Sequence, residues 1–135
     1  MGSFGQRLRR ERGAVAVEFA LIMPVLFLIL FGTLEFGRAW SQVQVFNGAA
    51  REGARCSAVL ASKVTTCTVV GRIEDASGSY SPNLSTLTVT PSGGCTDATR
   101  GQETTVSWVQ PVDINIPFWS DVMLTPTISA TFRCE

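Results

Sequence analysis

The sequence predicts an α+β protein in which one long amino-terminal helix packs on a small antiparallel sheet. Three observations lead there. A twenty-residue apolar run, Ala14 to Thr33, contains a single ionisable side chain, Glu18. Apolar residues then continue at helical spacing toward Ala61. The remainder shifts to short, partly alternating segments broken by Gly- and Pro-containing turns. The 135 residues are a one-domain length, and eleven Lys+Arg balance eleven Asp+Glu. That balance gives no electrostatic reason to expect a nucleic-acid partner. The absence of His removes His-containing metal sites and Cys–His or Ser–His catalysis.

At a rise of 1.5 Å per residue the apolar run is about 30 Å long, the thickness of a bilayer's hydrocarbon core. A domain this small has no interior wide enough to surround such a helix. A cleavable secretory signal has a shorter apolar region, about 7–15 residues, ending in a small-x-small site. Here the run passes through Leu34-Glu35-Phe36-Gly37-Arg38 into a further helical pattern, so residues 14–34 read as a membrane anchor. Arg7, Arg9, Arg10 and Arg12 precede it, whereas Glu35 and Arg38 follow it. Positive flanks remain cytoplasmic, which puts the amino terminus inside and the chain beyond about residue 35 outside. Pro24 lacks an amide donor and is expected to bend the helix or loosen one turn. Glu18 is the costly residue: a carboxylate inside the membrane is expensive unless protonated or paired, and so marks function. Hydration near the cytoplasmic interface is the alternative reading.

Residues 35–61 read as an amphipathic extension of the same helix. Phe36, Ala39/Trp40, Val43, Phe46, Ala50 and Ala54 form its apolar side. Arg38, Ser41, Gln42, Gln44, Arg51, Glu52 and Arg55 fill the other. Glu35 with Arg38, and Glu52 with Arg55, are spaced i,i+3 for ion pairing on a solvated face or for contact with another subunit. Gly48 and Gly53 weaken the helix but admit a close backbone, making both candidates for packing against the distal domain.

The distal domain, residues 62–135, is expected to begin with a short helix from Thr65 to Ala76, with Cys67, Val70 and Ile73 at helical spacing. Strands are predicted at Leu84–Thr90, at Thr104–Val109 (ended by Pro111) and at Thr127–Cys134. In the last, Ile128, Ala130, Phe132 and Cys134 share the inner face. Pro117-Phe118-Trp119 and Val122-Met123-Leu124 fall in the connection between the last two strands, as core or helix-covering residues or as a docking surface. Four Cys in an exported domain predict disulfides, since that compartment oxidises thiols. A meander would bring Cys95 in the Gly-rich loop to Cys134, leaving Cys56 with Cys67; four Cys allow three pairings. A four-cysteine zinc site is disfavoured because no C-x2-C spacing is present.

Three elements in order carry a family resemblance: the string RRERG/AVAVEF, the Pro-containing anchor ending in LEFGR, and the stretch NGAAREGAR. The first resembles a type IV prepilin processing site. Together, over roughly residues 11–55, they resemble the TadE-like family of pseudopilins from tight-adherence (Flp) pilus systems. The resemblance implies residues 1–13 as a basic leader, removed by a prepilin peptidase between Gly13 and Ala14, with Glu18 and Phe19 completing the site. The freed ammonium of Ala14 would pair with Glu18 of a neighbouring subunit, compensating two charges in a low-dielectric bundle. It further implies a pilin-like fold, a single-pass inner-membrane protein with a periplasmic domain, and the fibre as a second destination. Companion pseudopilins, the major pilin, the inner-membrane assembly platform and the lipid bilayer would be its partners. Glu18, Glu35, Arg38, Glu52 and Arg55 are the candidate subunit contacts.

No Gly-rich phosphate loop, nucleophile elbow or convergent carboxylate pair is present in the sequence; Glu74 and Asp75 are adjacent and do not face one point. The expectation is therefore a protein without catalysis, cofactor or metal. A minor pseudopilin is the leading reading, with an uncut bitopic envelope scaffold or adhesin-like module, or a secretion-system pseudopilin, as alternatives.

Overall fold

The computed structural model describes residues 4–59, 67–116 and 120–135, with backbone alone for 4–12. Helix α1 spans Phe4–Ala58 and runs through Pro24. It ends at Ala58, short of the expected Ala61; residues 60–66 lie outside the described residues. Its part from Gly13 onward is long and apolar enough to cross a membrane, and none of its most apolar window is buried. From Gly13 to Arg38 no α1 residue is buried.

From Ala39 the same helix becomes one wall of a core. Ala39, Phe46, Ala49, Ala50, Gly53, Ala54, Ser57 and Ala58 are buried and Val43 is half-buried, a stripe at spacings of three and four. Most of these side chains are small, so α1 accepts neighbours at close range. Phe36 and Trp40 do not join the stripe as expected: they are 62% and 58% exposed and stack on each other at 6.3 Å. Ala39 takes the inward position between them. Glu35/Arg38 and Glu52/Arg55 also depart from expectation. Among the described residues the ion pair within 4.0 Å is Arg100–Asp97, and neither i,i+3 pair on α1 closes.

Helix α2, Val69–Ser77, packs across α1. Its inward positions are Val69, Ile73 and Ser77, spaced by four, with Val70 exposed. The expected face through Cys67, Val70 and Ile73 is thus rotated. Cys67 precedes the helix and is tied to Cys56, so the seating of Ile73 over Gly53 sets the buried register. Of the two glycines expected to pack, Gly48 and Gly53, Gly53 is the one packed; Gly48 faces open space.

Strands β1 (Thr88–Thr90), β2 (Glu103–Val109) and β5 (Thr127–Arg133) form an antiparallel sheet in the order β1-β2-β5. Leu84–Thr86, expected within the first strand, is instead a 3-10 turn capped by the Asn83 side chain. Thr104, Val106 and Trp108 alternate inward along β2, and Val106 and Trp108 face Ala130 and Ile128 of β5. Phe132 was expected inside; it lies opposite Thr104 on an outer strand with no neighbour beyond it, and remains 39% exposed. The outward face carries hydroxyls, with Thr88 bonded to Ser107 at 2.8 Å and Thr105 to Thr131 at 2.9 Å. Trp108 buries its ring and donates from Nε1 to Gln110 Oε1 at 3.1 Å.

The connection between β2 and β5 holds a second, two-stranded sheet absent from the sequence expectation. Strand β3 (Val112–Ile114) pairs with β4 (Val122–Leu124), joining Val112 to Leu124 and Ile114 to Val122. Val112 is buried, but Val122, Met123 and Leu124 are exposed, which departs from the core reading and fits the helix-covering or docking one. Pro117, Phe118 and Trp119 lie outside the described residues.

The carboxyl end of α1 is held by the distal domain. The last carbonyls of a helix lack intrahelical donors. Here Ser57 O accepts from Cys95 N at 2.9 Å, and Ala58 O from Glu135 N at 3.2 Å. Gly94, at φ +83°, lets the loop lie against Ser57, where a Cβ would stand 3.1 Å from the carbonyl oxygen. Disulfides join Cys56 to Cys67 and Cys95 to Cys134, with Cα separations of 5.9 and 5.6 Å.

Two measurements check this packing. A Cβ at position 53 would lie 2.7 Å from Ile73 Cγ1, in a fully buried, β-branched side chain. Overpacking costs about 1–3 kcal/mol and exceeds the helix-propensity gain, so Gly53→Ala is expected to lower Tm. Gly48→Ala meets no atom within 4 Å and is expected to stabilise by about 0.5–1 kcal/mol. Equal shifts in thermal unfolding of the two variants would contradict this register. Second, the Cys95–Cys134 bridge closes 39 residues and Cys56–Cys67 closes 11. On the chain-entropy relation they stabilise by about 3.9 and 2.8 kcal/mol. Paired Cys→Ser variants should follow that order in denaturant unfolding. Alkylation without reductant, read by mass, should label none of the four thiols in the unmodified chain.

Candidate functional site

The segment from Gly13 to Phe19 is an exposed helix surface. Gly13 has no non-helical atom within 4 Å of where a Cβ would be, and Ala14, Val15, Val17, Glu18 and Phe19 are all exposed. Glu18 lies four residues beyond Ala14, one turn along the same face. Among the described residues its carboxylate makes no hydrogen bond or ion pair. Its neighbours along α1, Val15, Val17, Leu21 and Ile22, are exposed apolar side chains. The local arrangement is thus an acid on an apolar cylinder, with an open glycine one residue ahead of that turn. Such a surface suits an enzyme approaching the backbone at Gly13 and a positive partner approaching Glu18.

Glu35 and Arg38 lie roughly three and two helical turns before Phe46, the first large buried side chain of α1. They line a polar cleft of about 330 Å³ with Gln42, Phe46, Tyr80 and Asp113. The cleft therefore gathers charged residues from α1 and from β3. Gln110, which also borders it, is buried and satisfied: its Oε1 accepts from Asn83 N at 2.8 Å and from Trp108 Nε1 at 3.1 Å. Glu52 and Arg55 are exposed farther along α1, so the structure does not bring the five candidate contact residues together. They form three stations along one rod: Glu18, then Glu35 with Arg38, then Glu52 with Arg55.

On the other side of β3 runs an apolar groove of about 430 Å³, lined by Phe36, Ala39, Trp40, Val112, Leu124 and Pro126 among others. Val112 borders both concavities. Asp113 in the cleft escapes a reading of the sequence because its place depends on the β3–β4 pairing, whereas Leu124 in the groove belongs to the segment expected to be core, helix-covering or docking. Two three-residue strands with no charge or turn signature carry no periodic signal to read.

No group of three or more His, Cys, Asp or Glu is arranged to hold a metal among the described residues. Comparison of the chain with curated proteins and with solved structures returns no match. A family model does match, beginning at the open glycine and ending within the packed helix: residues 13–55 are similar to the TadE-like protein family.

Proposed function

We propose that this chain is a minor pseudopilin serving assembly of a tight-adherence (Flp) type IV pilus, at its initiation or tip complex or in its basal complex. The TadE-like match associates it with that pilus system. The single observation that carries the reading is the coincidence of three features at one point. The match begins at Gly13, the Gly13–Ala14 peptide is exposed, and Glu18 lies exposed one turn beyond it in an apolar helix.

In this reading the chain inserts with its arginines in the cytoplasm and its disulfide-bonded domain in the periplasm. A prepilin peptidase cuts after Gly13. The substrate must leave the helical conformation there, and glycine lowers that cost by about 1 kcal/mol relative to alanine. Cutting removes Arg7, Arg9, Arg10 and Arg12, which hold the chain against the inner face of the membrane. It also frees an ammonium on Ala14. Glu18 of an adjacent subunit neutralises that ammonium within the bundle, where neither charge is tolerable alone. The apolar helix then packs among companion pseudopilins and the major pilin on the inner-membrane platform. The chain contributes shape and charge, with no catalysis, cofactor or metal.

Terminal-peptide mass analysis of protein from peptidase-competent cells is expected to find Ala14 at the amino terminus. Retention of Met1 or Gly2 would overturn the reading and favour an uncut envelope scaffold. A Glu18→Ala variant should still be processed, yet its incorporation into pilus assemblies should fall by more than about tenfold. Leaving one buried charge unpaired costs about 3–5 kcal/mol. Assembly at the unmodified level would remove the pairing role while leaving the processing site intact.

A further inference from the structure

We propose that the apolar groove between α1 and the β3–β4 hairpin is a seat for the acyl chains of the outer leaflet, so that the distal domain rests on the bilayer from which its own helix emerges. This rests on the reading of α1 as a membrane span.

Height along the helix is the first argument. The apolar run ends at Thr33, and Phe36 and Trp40 lie about 5 and 10 Å farther along at 1.5 Å per residue. Headgroup layers add about 5–8 Å on each side of the hydrocarbon core. Helical side chains lean toward the amino terminus, here back toward the membrane, which brings the Trp40 ring down into that layer. Tryptophan favours this interfacial depth.

Continuity is the second. Val25, Ile29, Phe36 and Trp40, at spacings of four, seven and four, lie on one side of α1, and all four are exposed. The groove lined by Phe36 and Trp40 is therefore the outward end of a stripe that the span presents to lipid. The hairpin closes its far side: Val112, Ile114, Leu124 and Pro126 line it, and Val122 shares the face of Ile114 and Leu124.

Chemistry is the third. Among the described residues no lining side chain carries a charge, and the one hydroxyl is that of Thr125. A site of this kind takes hydrocarbon and is indifferent to headgroup charge. The charged side chains of Glu35, Arg38 and Asp113 line the separate cleft across β3, and the exposed Asp121 precedes β4 without lining the groove. An apolar groove left open to water would be a liability; placed at the membrane surface, it has an occupant at hand.

The test is photocrosslinking of the full chain in vesicles of zwitterionic phosphatidylcholine, with benzoylphenylalanine placed singly at Leu124, Val122, Leu26 or Val70. Leu124 and Val122 report the seat, and using both guards against one substitution disturbing the hairpin. Leu26 reports the span. Val70 is exposed on α2, which packs at Gly53, about 30 Å beyond the span. Intact disulfides, read by mass without reductant, certify each variant as folded. Phospholipid-mass adducts are expected at Leu26 and at Leu124 or Val122, at least tenfold above Val70. Adducts at Leu26 with none at the hairpin would overturn the seat and leave the span standing. A hairpin adduct to a second copy of the chain would likewise overturn it. No adduct at Leu26 would overturn the span reading, and the seat with it.

Discussion

The structure depends on the close approach that small side chains permit on one side of α1. Ala49, Ala50, Gly53, Ala54 and Ser57 let α2 and the sheet both reach the helix, and the large buried residues Ile73, Val106, Trp108 and Ile128 close over them. Without that wall the distal residues have little to pack against. Strands of three to seven residues and a nine-residue helix cannot bury their apolar sides on one another alone. The helix is thus the structural half of the domain it carries, and the two cannot be treated as an anchor with a separate passenger.

The end of α1 shows how this joint is finished. Its final carbonyls are exactly the groups a buried helix terminus leaves without donors. The loop bearing Cys95 and the chain terminus beyond Cys134 supply two of them, and the Cys95–Cys134 bridge fixes those segments to each other. Ser57 adds a side-chain bond to Thr104 at 3.0 Å, connecting the helix to the inner face of β2. The Cys56–Cys67 bridge then ties the last turn of α1 to the entry of α2. Both covalent links act at the same joint, where hydrophobic area alone is limited.

Much of this was legible in the sequence because it rests on strong, local signals. Twenty apolar residues define the long helix whatever surrounds it, and the alternation in Glu103–Val109 and Thr127–Arg133 marks two paired strands. The string from Gly13 through Phe19 also rests on residue types and spacing, which is why a processing site at Gly13, Ala14, Glu18 and Phe19 could be proposed from the sequence. What escaped depends on choices made in three dimensions. Whether Ala39 or Trp40 turns inward is undecided by a spacing that both satisfy; the tight approach of the domain favours alanine. The face of α2 shifted because Ile73 seats over Gly53, a contact between residues twenty positions apart. The β3–β4 hairpin escaped because Pro111 reads as a terminator, whereas the chain resumes pairing one residue later.

The surface of this one helix changes character within a few residues. From Gly13 to Arg38 its surface is unburied, and from Ala39 it carries the core. Gly13 lies about 39 Å before Ala39 at helical rise. Every α1 residue that the domain buries therefore lies on the far side of the apolar run from the proposed cut. Severing the chain at Gly13 would remove charge from one end of the rod without touching the packing, the terminal hydrogen bonds or the disulfides at the other. Processing and folding can then proceed independently along a single element. On the proposed processing, the leader would be lost without any change in the fold of the domain, while the energetics of the proposed span would be transformed. That separation is what a subunit needs if it must be folded on one side of a bilayer and released for assembly from the other.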